Sequence, residues 1–167
     1  DEADHAIKIV GKYNLRTTLP LLQDGNKRDN FILVQDTSFV QQNDWIRIQF
    51  NDSGLYTSSW GKNTVSQIVQ VESKSGDTLF LKSELRRNFL VSRDAAITVH
   101  DFAENSGLEC FKILRKDNTS PIIKSNIFFG FTANSWVKGI QSDSCTFAHI
   151  EARYSSNLAI RNNFLNY

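Results

Sequence analysis

The sequence predicts an all-β protein made of stacked parallel coils, with a small antiparallel β subdomain inserted near the N-terminus. Three observations carry this. Short runs rich in Val, Ile and Phe, bounded by Asn, Asp, Gly or Ser, recur along the chain. No window holds a clean helical period. In the second half, strand-like cores recur with a step in the twenties, as from Val137 to Ile160.

The elements follow in order. "AIKIVG" (6–11) is a first strand, and residues 1–37 read as a cap or first rung. The segment 38–92 reads as the antiparallel subdomain. Within it, "DWIRIQF" (44–50) sets Ile46, Ile48 and Phe50 on one face. "IVQVESKSGDTLFLK" (68–82) predicts a hairpin turning at Gly76-Asp77, a pair that tolerates positive φ. Val69 and Val71 on one arm and Leu79 and Leu81 on the other supply its apolar face. "SELRRNFLVSRDAA" (83–96) hosts at most a helical turn. Residues 93–167 carry the repeat, with cores at "ITV", "CFKI", "IFFGF", "WVKGI", "FAHI" and "LAI". A coil of this length cannot bury its own apolar face, so coils stack. "SDS" (142–144) and "YSSN" (154–157) are corners between strands.

Composition excludes several classes. In 167 residues, 40% hydrophobic and 22% charged, there is enough apolar material for a real core. Nineteen basic against eighteen acidic residues leave +1, no footprint for nucleic acid or an anionic membrane. No run reaches the length of a membrane span, so no membrane insertion is expected. The chain has no Met and opens on "DEADHA" without a signal peptide, as a processed or trimmed chain does. Cys110 and Cys145 match no metal motif and read as small buried side chains, with a disulfide between them as the alternative. Gly-rich phosphate loops, HExxH and Gly-x-Ser-x-Gly elements are missing from the sequence.

"NSWVKGIQSDSCTFAHIEARYSSNLAIRNNFLNY" (134–167) resembles rungs of right-handed parallel β-helix proteins of the pectate-lyase-like superfamily, bacterial and secreted. "GLECFKI" (107–113) is similar to an earlier rung. The segment "NDWIRI…QIVQVESKSGDTLFLKSEL" resembles a small barrel-like module that interrupts bacterial β-helices. The resemblance implies the N-terminal part of an extracellular or cell-surface protein. It also implies that more rungs, or a partner chain, cover the end of the solenoid.

Candidate binding residues come from two places. In "TFAHIEAR" (146–153), His149, Glu151 and Arg153 alternate with Ala148, Ile150 and Ala152, which puts the three polar groups on the solvent face of a strand. Neighbours in that strip stand about 7 Å apart and offer a carboxylate and a guanidinium fork for an acidic sugar. The competing reading is a solvated face with cross-rung ion pairs, with Lys138 and Arg161 nearby. "NDSGLYTSSWGKN" (51–63) is a polar loop whose Tyr56 and Trp60 offer rings for sugar stacking, or pack the loop onto the subdomain. Trp45 and Trp136 admit the same two readings. Asn162 and Asn163 are candidates for an asparagine ladder at a corner, and His5 and His100 read as surface or loop residues.

The superfamily's enzymes use calcium held by clustered acids and a basic proton acceptor. Asp101, Glu109, Asp117, Asp143 and Glu151 form no tight cluster in sequence, so neither a calcium site nor another cofactor is expected, and no catalytic residue is carried over. The function expected is carbohydrate interaction with a polysaccharide partner, in a lyase- or hydrolase-like protein whose catalytic site lies outside these residues. The alternative is a non-catalytic adhesive or structural cell-surface solenoid.

Overall fold

The computed structural model describes residues 5–12, 18–61, 64–116 and 124–166, with Trp60 described by its backbone alone. Strands and two 3-10 turns, Ser59–Gly61 and Val91–Arg93, make up its regular structure. In chain order the first strands are β1 Ile7–Val10, β2 Thr18–Pro20, β3 Phe31–Leu33, β4 Trp45–Gln49, β5 Ser66–Ser75, β6 Thr78–Leu81 and β7 Ala96–His100. They continue with β8 Ala103–Glu104, β9 Gly107–Glu109, β10 Lys112–Leu114, β11 Ile127–Gly130, β12 Thr132–Lys138, β13 Gln141–Asp143, β14 Ile150–Arg153, β15 Ser156–Arg161 and β16 Phe164–Asn166. The protein is all-β, and its strands fall into two compact units: residues 1–12 with 102–167, and residues 13–101.

The first unit is built from parallel pairings. β11, β12 and β13 follow one another, and β14, β15 and β16 pair with them in turn, residue for residue 23 positions on. β9 and β10 pair below β12 and β13 with a step of 29, and β1 pairs below β11. Stacking follows from the side-chain pattern. Ile127, Phe129, Val137 and Ile140 point inward and are buried, with Ile7, Ile9, Leu108, Ile113, Ile150 and Leu158 packed on them. Fully burying each such side chain is worth roughly 1.5–3 kcal/mol, which a single coil could not collect alone.

Corners join the strands through left-handed residues that also stack. Phe131 (φ 50°) and Tyr154 (φ 48°) turn the chain from first to second sheet, and their rings stack at 5.1 Å. Asn105, Asn134 and Asn157, with φ of 55°, 52° and 54°, bend the second sheet. Asn suits this region because its short amide bonds locally. The asparagine ladder lies here. Asn157 Nδ2 donates to Asn134 Oδ1 at 3.0 Å, and Asn134 Nδ2 donates to Glu104 Oε2 at 3.3 Å. That corrects its expected place at Asn162 and Asn163. Asn162 takes a left-handed turn (φ 56°), while Asn163 Oδ1 accepts the Ile140 N–H at 3.1 Å.

The second unit is a six-stranded antiparallel sheet in the order β2-β7-β4-β5-β6-β3. A Leu21–Val34 bridge joins its two edges and closes it, in keeping with a barrel-like module. The hairpin β5–β6 turns at Gly76-Asp77, with Gly76 at φ +55°. Ile46, Ile48, Val69, Val71, Leu79 and Leu81 are all buried in its core, as the alternation predicts.

The division of the chain differs from the one expected at 37/38 and 92/93. Thr18–Pro20, Phe31–Leu33 and Ala96–His100 pair within the antiparallel sheet, so this unit takes in residues on both sides of those boundaries. The physical reason is strand partnering. Leu19, Ile32, Ile97 and Val99 bury their side chains in the antiparallel core.

Candidate functional site

Strand β14 carries the predicted strip, on the edge of the sheet β1-β11-β14. Its residues do not share one exposed face. His149 precedes the strand, so the two-residue alternation does not reach it. Its side chain is 7% exposed, and its Nδ1 lies 2.9 Å from Ser142 Oγ. Asn126 Nδ2 donates to the same hydroxyl at 2.8 Å, which makes an interior polar cluster of three coil residues. The expectation that His149 is solvent-facing is therefore corrected: an interior hydroxyl offers the imidazole a partner. Ile160, expected inside, is 50% exposed, because β15 is an edge strand and covers its partner Val137 without being covered in turn.

Glu151 and Arg153 do stand together. Arg153 Nε donates to Glu151 Oε1 at 2.5 Å, and the buried Ser125 donates its hydroxyl to Glu151 Oε2. The Arg153 side chain is 61% exposed, while that of Glu151 is 10% exposed. The guanidinium carbon lies 5.9 Å from the centre of the Phe128 ring, a cation–π distance. His5 stacks on the same ring at 4.5 Å, and its Nδ1 accepts the Ser125 N–H at 3.0 Å. The structure thus assembles His5, Ser125, Phe128, Glu151 and Arg153 from three segments. Their register explains it: Lys8, Phe128 and Glu151 occupy one cross-strand row, with Gly130 and Arg153 in another. Only "HIEAR" signalled this in sequence. Ser125, Phe128 and His5 were missed, because pairing across 120 residues leaves no local mark.

Chemically, the group is a binding arrangement. Both Glu151 oxygens are engaged, one by a hydroxyl and one by a guanidinium. Arg153 spends only Nε on Glu151. Its two terminal nitrogens form no hydrogen bond among the described residues and keep the planar fork that matches a carboxylate. No group of three or more His, Cys, Asp or Glu comes together among the described residues. Of the acids considered for calcium, Asp143 is salt-bridged to Lys112 at 2.6 Å. Hydrogen bonding from Lys112 and from Gln141 holds its carboxyl below the ordinary aspartate value.

Tyr56 belongs to the antiparallel unit. Its loop is tied down by the buried Asp52, whose Oδ2 accepts the Val65 N–H at 3.1 Å. Tyr56 packs on Gly61, where a Cβ would stand 2.8 Å from the Tyr56 Cβ. Trp60 lies in the 3-10 turn, and its side chain is outside the described atoms.

Three other expectations change. His100, read as a surface or loop residue, is buried in β7, and its Nε2 lies 2.9 Å from Thr98 Oγ1. Cys110, expected to be buried, is exposed at a corner with φ 56°, and Cys145 is half-buried, both as free thiols. Trp136 lies on the outer face of β12, flat against Gly107, with its Nε1 donating to Glu109 Oε1 at 2.6 Å.

No protein-family model and no curated protein matches the sequence. Solved structures do. The chain is similar to the Gp54 tailspike of Acinetobacter baumannii bacteriophage AP22, solved in complex with A. baumannii capsular saccharide, with TM-score 0.70, 20% identity, and 93% of this chain covered. It is also similar to the tailspike gp49 of Pseudomonas phage LKA1, at TM-score 0.65 and 11% identity over 96% of the chain. The tailspike gp61 of Pseudomonas phage phi297 matches at TM-score 0.60 and 12% identity, again over 96%. The chain spans 25%, 26% and 38% of those proteins respectively. At these identities the likeness establishes a shared fold.

Proposed function

We propose that this chain is part of an extracellular or cell-surface carbohydrate-interacting protein, built on a right-handed parallel β-helix of the pectate-lyase-like kind. Its partner is a bacterial surface polysaccharide. The observation that carries this reading is the exposed Arg153 fork, braced by Glu151 and Ser125 and lying over Phe128 on the outer face of a parallel sheet. Such a fork pairs with a sugar carboxylate, and the Phe128 ring beneath the guanidinium helps to hold it in place. The fold likeness to a tailspike solved with a capsular saccharide supports the choice of ligand class.

The role proposed for these residues is binding without catalysis. Glu151 has both oxygens committed, one to the Ser125 hydroxyl and one to the Arg153 guanidinium, and among the described residues of the group no second carboxylate stands with it as the acid pair of glycoside hydrolysis would. Tyr56 and Trp60 are a secondary contact in this reading.

The test is binding of the chain to immobilised acidic and neutral capsular oligosaccharides. Arg153→Ala should weaken binding to acidic ones about five- to tenfold, about 1 kcal/mol or slightly more, and leave neutral ones unchanged. Equal weakening of both, or none, argues against the Arg153 fork.

A further inference from the structure

We infer that Trp136 is the platform of a second saccharide subsite, on the outer face of β12, which takes an anionic pyranose. This rests on the carbohydrate reading above but uses a different sheet and different residues. The row across the sheet is Gly107, Trp136 and Ala159. The indole lies so close over Gly107 that a Cβ there would stand 2.1 Å from Cε2 and 2.3 Å from Cζ2. A side chain at 107 would push the ring off the sheet. Neither neighbour in the row carries a side chain that can cover the ring, and Trp136 remains partly exposed. The hydrogen bond from Nε1 to Glu109 fixes the ring's rotation. The result is a broad aromatic plane, seated on backbone and pinned at its polar edge.

The surroundings specify the ligand. Along the strand on one side stand Asn134 and Asn157, bonded to each other, with amide groups at the rim. On the other side the row Glu109, Lys138, Arg161 crosses the sheet. All three are exposed, and the ion pairs found among the described residues, Lys112–Asp143 and Arg153–Glu151, involve neither cation. An aromatic plane ringed by amides and charges suits a polar ring with apolar C–H faces. A protein partner burying the same area would have to strip water from all of these groups. A pyranose stacks on the indole with its hydroxyls still hydrogen-bonded to the rim. Glu104, which accepts from Asn134, and Glu109 both lie on the β8–β9 side of β12, while Lys138 lies on β12 and Arg161 beyond it on β15, so a sugar carboxylate is bound at the Arg161 end, away from both acids.

The experiment titrates the chain with the panel of acidic and neutral capsular oligosaccharides while following the Trp136 indole N–H resonance. An acidic oligosaccharide should shift that resonance. Trp136→Ala should weaken its binding at least tenfold, and Trp136→Phe by less. Arg161→Gln, a change at an exposed side chain, should weaken acidic ligands alone. Binding that leaves the resonance and the affinity of both Trp136 and Arg161 variants unchanged overturns this subsite and leaves the Arg153 site standing. Failure of every oligosaccharide to bind overturns both.

Discussion

Gly107→Ala is the sharpest perturbation of the coil. The added methyl would sit 2.1, 2.3 and 2.4 Å from three atoms of the Trp136 ring, where ordinary contact is about 3.5–4 Å. The ring must move by about 1.5 Å. That displacement breaks the 2.6 Å bond from Nε1 to Glu109 and lifts the indole from its seat. Overpacking costs about 1–3 kcal/mol, and the exposed hydrogen bond adds about 0.5–1 kcal/mol. The expected loss is about 2 kcal/mol, roughly a thirtyfold change in the folding equilibrium. Urea denaturation followed by far-ultraviolet circular dichroism reads it. A double-mutant cycle isolates the cause: in a Trp136→Ala background there is no ring to displace, so Gly107→Ala should cost nearly nothing. An equal cost in both backgrounds would refute the stacking of Trp136 on Gly107.

Two further predictions concern the antiparallel unit. Gly76 has φ +55° with no heavy atom near its absent Cβ, so Gly76→Val should cost about 1–2 kcal/mol through the backbone alone, and Gly76→Asn much less; an unchanged denaturation midpoint for the Val variant would contradict the turn. Burial, reinforced by the nearby Arg47 charge, holds His100 below the ordinary imidazole value of 6.5. The unfolded chain then takes up a proton that the native protein refuses, so this group costs nothing above about pH 6.5 and destabilises progressively below it. Comparing midpoints at about pH 7.5 and about pH 5.5 should show a fall in the native chain that His100→Gln reduces; equal falls in both would dismiss His100 as the source.

What the sequence made legible was local. The hairpin at Gly76-Asp77 and the buried set Ile46, Ile48, Val69, Val71, Leu79 and Leu81 follow from two-residue alternation within one strand or one turn. The step from Val137 to Ile160 is an actual pairing in the register of β12 and β15. What stayed hidden depends on distant partners. β1 meets β11 across the whole antiparallel unit, and no pattern in "AIKIVG" says so. His149 looked exposed because alternation was extended one residue past the start of β14, and its interior partner Ser142 comes from the preceding coil. Only Arg153 of the predicted strip stands well out into solvent. Its supports, Ser125 and Phe128, come from another segment. Trp136 was noticed as an aromatic, but its seat depends on Gly107, 29 residues earlier, and on a register the uneven first step concealed. The left-handed corners at Phe131 and Tyr154 were equally silent, because neither residue type advertises a positive φ.

The most direct measurement of the proposed function is a crystal structure of the chain soaked with an acidic capsular oligosaccharide that it binds. Saccharide density should lie on the outer faces of the coils, with a sugar carboxylate paired to Arg153 or a pyranose ring stacked on Trp136. Density confined to the loop that carries Tyr56, or lying on neither Arg153 nor Trp136, would contradict a binding surface built from the parallel sheets.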